Sequence, residues 1–172
     1  MYISKRKEKQ DEGKLFTEVY MYFYLTVNSS IAVSELNSIA KRSIRTFQRY
    51  VKDLEEAGCA EPIYFYKKWA PAFYMFNPKE QPNSWDVMPQ QTKKVSSSNQ
   101  HIIKLNRILR AIDYYSTSLW DYFYEEERDA IKVLNYEDYK KHIDPSISQK
   151  TFERDIKLIK TVCKLYINQL ED

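Results

Sequence analysis

One twelve-residue pattern occurs twice in this chain. Ser43-Ile-Arg-Thr-Phe-Gln-Arg-Tyr-Val-Lys-Asp-Leu54 lies over Ser148-Gln-Lys-Thr-Phe-Glu-Arg-Asp-Ile-Lys-Leu-Ile159 without a gap. Ser43/Ser148, Thr46/Thr151, Phe47/Phe152, Arg49/Arg154 and Lys52/Lys157 are identical, and Arg45/Lys150, Val51/Ile156 and Leu54/Ile159 match in kind. Two unrelated amphipathic helices share apolar spacing but not the polar residues between, so the match reads as a duplicated helix. A chain of 172 residues then divides into two small units of roughly 75–85 residues each, near the lower end of what folds alone.

The expected organisation is a charged tail over 1–13, a first unit over 14–76, a linker over 77–100 and a second unit over 101–172. Leu15, Phe16, Val19, Phe23 and Val27 predict a helix over 14–27, although the aromatic stretch 20–27 is also compatible with a strand. Val33, Leu36, Ile39 and Ala40 share one face of a two-turn helix. Ser43 reads as the N-cap of the next helix, where Ile44, Phe47, Val51 and Leu54 form a core-facing stripe. Gly58 stands where a left-handed C-cap is wanted. Two aromatic strands over 63–66 and 72–76 follow, joined through Lys67 and Lys68, and predict a β-hairpin with a basic tip. Three helices and a hairpin are the outline of a winged helix-turn-helix unit. Pro78, Pro82 and Pro89 break any helix across the linker.

In the second half, Ile102, Leu105, Leu109 and Ile112 predict a first helix, and Asn135 caps a short one reaching about Ile143. Asp144-Pro145-Ser146-Ile147 forms the turn before Ser148. Residues 116–134 have no counterpart in the first half and read as a partly helical insertion, with Glu125, Glu126 and Glu127 facing water. No hairpin pattern follows Ile159. The expected fold class is therefore mainly α with a small β-hairpin wing, built from tandem (winged) helix-turn-helix domains.

Several chemistries lack residues. With Gly13 and Gly58 the only glycines, no Gly-rich phosphate loop can be written. Cys59 and Cys163 are far apart and read as reduced thiols rather than a disulfide or zinc framework. His101 and His142 accompany no nucleophile motif and read as boundary residues, so catalysis, metal and cofactor are not expected. No apolar stretch approaches the ~20 residues of a membrane helix, and no secretion signal is recognisable. A cytoplasmic protein without a membrane partner is the expectation.

The pattern Ser-x-Arg/Lys-Thr-Phe-x-Arg-Asp-Ile-Lys-x-Leu/Ile resembles the recognition helix of DeoR-type and related bacterial helix-turn-helix regulators, and Leu36 sits where those proteins place a core leucine. The resemblance covers about 14–76 and 101–165. It implies a DNA-binding regulator from a bacterium or mobile element. Tyr50 departs from the pattern, which has aspartate there, and no effector-binding domain follows either copy in these residues.

Between 41 and 52 there are five basic residues and no acidic one. The halves 1–90 and 91–172 differ little in net charge, +2 (13 basic less 11 acidic) against +1 (14 less 13), so local clustering carries the case. Arg45 and Gln48 lie near the helix N-terminus, the end that reaches base edges in the major groove. An arginine fork pairs with guanine and glutamine with adenine, each worth about 1–3 kcal/mol of discrimination. Lys41, Arg42, Ser43, Thr46, Arg49, Lys52, Lys67 and Lys68 complete the expected front surface for double-stranded DNA. In the second copy Ser148, Lys150, Thr151, Arg154 and Lys157 are the counterparts, offset by Glu153 and Asp155. A homodimer or protein partner is the competing use of that copy. For the whole chain, a plasmid or phage replication initiator and an antirepressor-like adaptor are the alternatives to a transcription regulator.

Overall fold

Between Val19 and Val27 almost every side chain is apolar or aromatic, and a helix of that composition is satisfied only when other elements surround it. It lies in α1 (Lys5–Asn28). Val19, Tyr20, Met21, Tyr22, Phe23 and Leu25 are each no more than 1% exposed. The computed structural model describes residues 5–28, 30–59, 63–66, 73–76 and 92–170, with side chains over 12–27, 31–59, Tyr74 and 92–170. The chain is mainly helical. After α1 come β1 (Ser30–Ala32), α2 (Val33–Ile39), α3 (Ile44–Glu56), β2 (Ile63–Tyr66) and β3 (Phe73–Phe76). Then follow α4 (Gln100–Tyr114), α5 (Ser116–Phe123), a 3-10 helix (Arg128–Val133), α6 (Tyr136–His142) and α7 (Gln149–Leu170).

The three strands form an antiparallel sheet in the order β1-β3-β2. Ile31 stands opposite Tyr74, and Tyr74 opposite Phe65 on the other side. The Tyr74 hydroxyl donates to the Ile44 carbonyl at 3.2 Å, tying the sheet to the start of α3. Periodicity does not reveal β1, because three residues are too few to show a period and its place depends on pairing with β3. The helix α1 also begins inside the stretch expected as a charged tail.

α1 packs against α2, α3, α4, α7 and β1, so both halves share one hydrophobic core. Tyr166 of α7 meets Phe23 and Tyr24 edge-on, each at 5.3 Å between ring centres. On α4, Asp113 accepts from the Tyr22 hydroxyl at 2.5 Å and from the Thr92 amide at 2.6 Å. Asn106 donates to the carbonyls of Ala57 and Lys93, both at 2.8 Å. Residues 92–95, near the end of the segment expected as linker, are thereby laid against α4 and the turn after α3; 77–91 lie outside the described residues. Gly58 has φ +84°, and a Cβ there would stand 2.9 Å from Val95 Cγ1 and 3.0 Å from the Lys93 carbonyl oxygen. Glycine is needed for both reasons.

The second half holds no strand among its described residues. Residues 116–134 are α5 and the 3-10 helix, with Glu125, Glu126 and Glu127 exposed. Cys59 and Cys163 form no disulfide. No described helix is long and apolar enough to cross a membrane.

Candidate nucleic-acid interface

α3 starts where Ser43 turns the backbone into the extended region and accepts the Thr46 amide on Oγ at 3.2 Å. α7 starts the same way, with Ser148 Oγ accepting the Thr151 amide at 3.2 Å. In each copy the serine and threonine hydroxyls are also within hydrogen-bond distance, at 3.1 and 3.0 Å. Both caps fill one orphan amide of the first turn, so each helix presents the same N-terminus.

The buried face of α3 consists of Phe47, Tyr50, Val51 and Leu54. Ile44, expected in that stripe, is 42% exposed: it occupies the first position of the helix, beyond the core, and Tyr50 fills the inward place. With that face fixed, Lys41, Arg42, Ser43, Arg45, Gln48, Arg49 and Lys52 are exposed and Thr46 is half-buried. No hydrogen bond or ion pair from another side chain engages Arg45, Gln48, Arg49 or Lys52 among the described residues. Arg42 reaches only the neighbouring Lys41 carbonyl, at 3.2 Å. Five cations therefore stand along the exposed face of α3 and its approach, with no ion pair to them among the described residues. Lys67 and Lys68 lie outside the described residues.

The rear copy repeats the exposure pattern. Ser148, Lys150, Arg154 and Lys157 are exposed, Thr151 is half-buried, and Ile156 and Ile159 are buried. Glu153, exposed between them, lowers the charge of this face. Asp155 does not: it is 3% exposed and belongs to the core. Its carboxylate accepts from Arg107 Nε at 2.6 Å, Arg107 Nη2 at 2.9 Å and the Tyr139 hydroxyl at 2.8 Å. Burial works against the charge of Arg107, but the bonded carboxylate outweighs it and the guanidinium pKa is raised. Tyr139 stacks on Tyr115 and meets Phe152 edge-on, so α6 is pinned to α4 and α7 through this ion pair.

One polar cluster escaped the sequence reading. His101, expected as a boundary residue, bonds the fully buried Glu18 at 2.6 Å and lies 3.9 Å from Asp53. The three residues come from α4, α1 and α3, at separations no motif spans. Comparisons with family models, with curated proteins and with solved structures found no match for this chain.

Proposed function

We propose that the chain binds double-stranded DNA through α3 and acts as a transcription regulator built from tandem helix-turn-helix units, the front one winged. The single observation that carries this reading is the outward row Arg45, Gln48, Arg49 and Lys52, exposed and without side-chain partners among the described residues, opposite the buried face of Phe47, Tyr50, Val51 and Leu54. An exposed N-terminal half-helix bearing an arginine and a glutamine has the donors that base edges in the major groove accept. Ser43, Thr46, Lys41 and Arg42 surround the helix N-terminus, where backbone amides and cations together favour a phosphate. The order of elements in the front half supports the wing: β2 and β3 pair as a hairpin beside α3, with β1 closing the sheet. The DeoR-type resemblance of the repeated helix points the same way.

α7 carries the second, weaker surface, with Lys150, Arg154 and Lys157 partly offset by Glu153. Two units on one chain read two adjacent half-sites without dimerising, and linkage raises the effective concentration of the second.

Gel-shift titration at several salt concentrations is the test. Arg45→Ala with Arg49→Ala should weaken duplex binding at least tenfold, the equivalent of about 1.4 kcal/mol. It should also lower the salt slope by about 0.9 for each phosphate the protein no longer neutralises. Unchanged affinity and slope remove α3 from the interface. Selection from a random duplex pool should return two spaced half-sites. Origin repeats in place of promoter sites favour a replication initiator.

A further inference from the structure

At the junction of the two halves, α1, α3 and α4 bring Glu18, Asp53 and His101 together. One ligand atom from each lies within 4.8 Å of the other two. Glu18 is completely buried; Oε1 meets His101 Nε2 at 2.6 Å, while Oε2 has no hydrogen-bond partner among the described residues. Its other polar neighbours are a second acid, half-buried Asp53, and the Lys14 ammonium, which lies 2.8 Å from Asp53. Two adjacent carboxyl groups, one of them fully buried, are stabilised by a proton or a cation between them, and the Lys14 ammonium does not bond Glu18 Oε2.

We propose that Glu18, Asp53 and His101 form a binding site for a divalent cation of the zinc type, which clamps α1, α3 and α4 and so the two halves of the chain. The donor set, one imidazole nitrogen and two carboxylate oxygens, is the borderline one that zinc accepts, with water completing a tetrahedron. Bonds of about 2.0–2.1 Å place tetrahedral ligands roughly 3.3 Å apart. The observed 2.6 and 3.9 Å from His101 bracket that spacing. Lys14 is the competitor. Its ammonium lies 2.8 Å from Asp53, but its side chain is 35% exposed and has a path to solvent. The cation takes the place of the Lys14 ammonium, and its two charges match those of the two carboxylates.

The test is zinc and cobalt titration of the full chain, followed by melting temperature and by the visible bands of tetrahedral cobalt. The wild type should bind one ion, gain melting temperature and show those bands. Glu18→Gln and His101→Gln should lose the bands and weaken binding roughly 100-fold or more, beyond the 10–100-fold typical of residues that only support ligands. Lys14→Met should bind several-fold more tightly, a gain that a purely structural role for this cluster does not produce. Glu18→Gln keeps the size and shape of the side chain, so circular dichroism without metal should show an intact fold. His142→Gln, a substitution outside the cluster, should change nothing. No binding by the wild type at excess zinc, or unchanged bands in both ligand variants, overturns the site and leaves two acids sharing a proton.

Discussion

α3 and α7 share a cap, a buried stripe and a row of outward cations, yet they are anchored differently. In the front unit the position after the second arginine is Tyr50, 7% exposed, its ring edge-on to Phe47 at 6.1 Å. In the rear unit the same position is Asp155, held by three hydrogen bonds from Arg107 and Tyr139. The two helices match at the helix start, at the outward basic positions and along most of the inward stripe, and differ at the outward pair Gln48/Glu153 and at this one inward contact. An aspartate is tolerable there only because α4 and α6 supply donors; an aromatic ring needs none. At this position, then, the front helix is docked by apolar packing and the rear one by a buried ion pair.

The largest break in this comparison comes from removing one side of that pair. Asp155→Ala leaves the Arg107 guanidinium buried and unpaired, and should cost about 3–5 kcal/mol in urea denaturation. Arg107→Met with Asp155→Leu should recover most of it, because similar apolar volume often replaces a buried pair without loss. Tyr50→Phe should cost less than about 1 kcal/mol, since the ring stays. A small loss for Asp155→Ala alone contradicts the anchoring described.

A middle-sized effect tests the seam between the units. Gly58→Ala puts a side chain at φ +84° and drives Cβ to 2.9 Å from Val95. Left-handed backbone costs an ordinary residue roughly 1–2 kcal/mol before any clash. Gly58→Asn separates the two causes, because asparagine accepts that φ while still meeting Val95. If alanine and asparagine are equally damaging by urea denaturation, the close approach of residues 92–95 dominates; if asparagine is mild, the backbone does.

Local physics made much of this legible. Ser43, Gly58 and Asn135 act where their side chains or φ angles say they should, because caps depend on neighbours a few residues away. The outward row of α3 followed from the inward one. The rest depends on distant partners. Residues 17–27 of α1 are buried on nearly every side, so its apolar residues show no clean stripe, and nothing local marks its start at Lys5. Thr92 reads as linker until Tyr22 and Asp113 are placed beside it. Glu18, Asp53 and His101 are ordinary residues in three separate helices, and only packing makes them a cluster.

The smallest effect is the sharpest check on the duplication itself. Ser43→Ala and Ser148→Ala each remove one hydroxyl that accepts a first-turn amide at 3.2 Å on an exposed helix end. Loss of such a cap costs typically about 1 kcal/mol, because the amide reverts to water without being buried. The two caps share no partner, so the double variant should lose the sum within about 0.5 kcal/mol. Thermal and urea unfolding should give nearly equal losses for the two single variants despite the different anchors behind them. A marked inequality means that anchoring reaches the helix start, and that the two copies are alike in residues but not in mechanics.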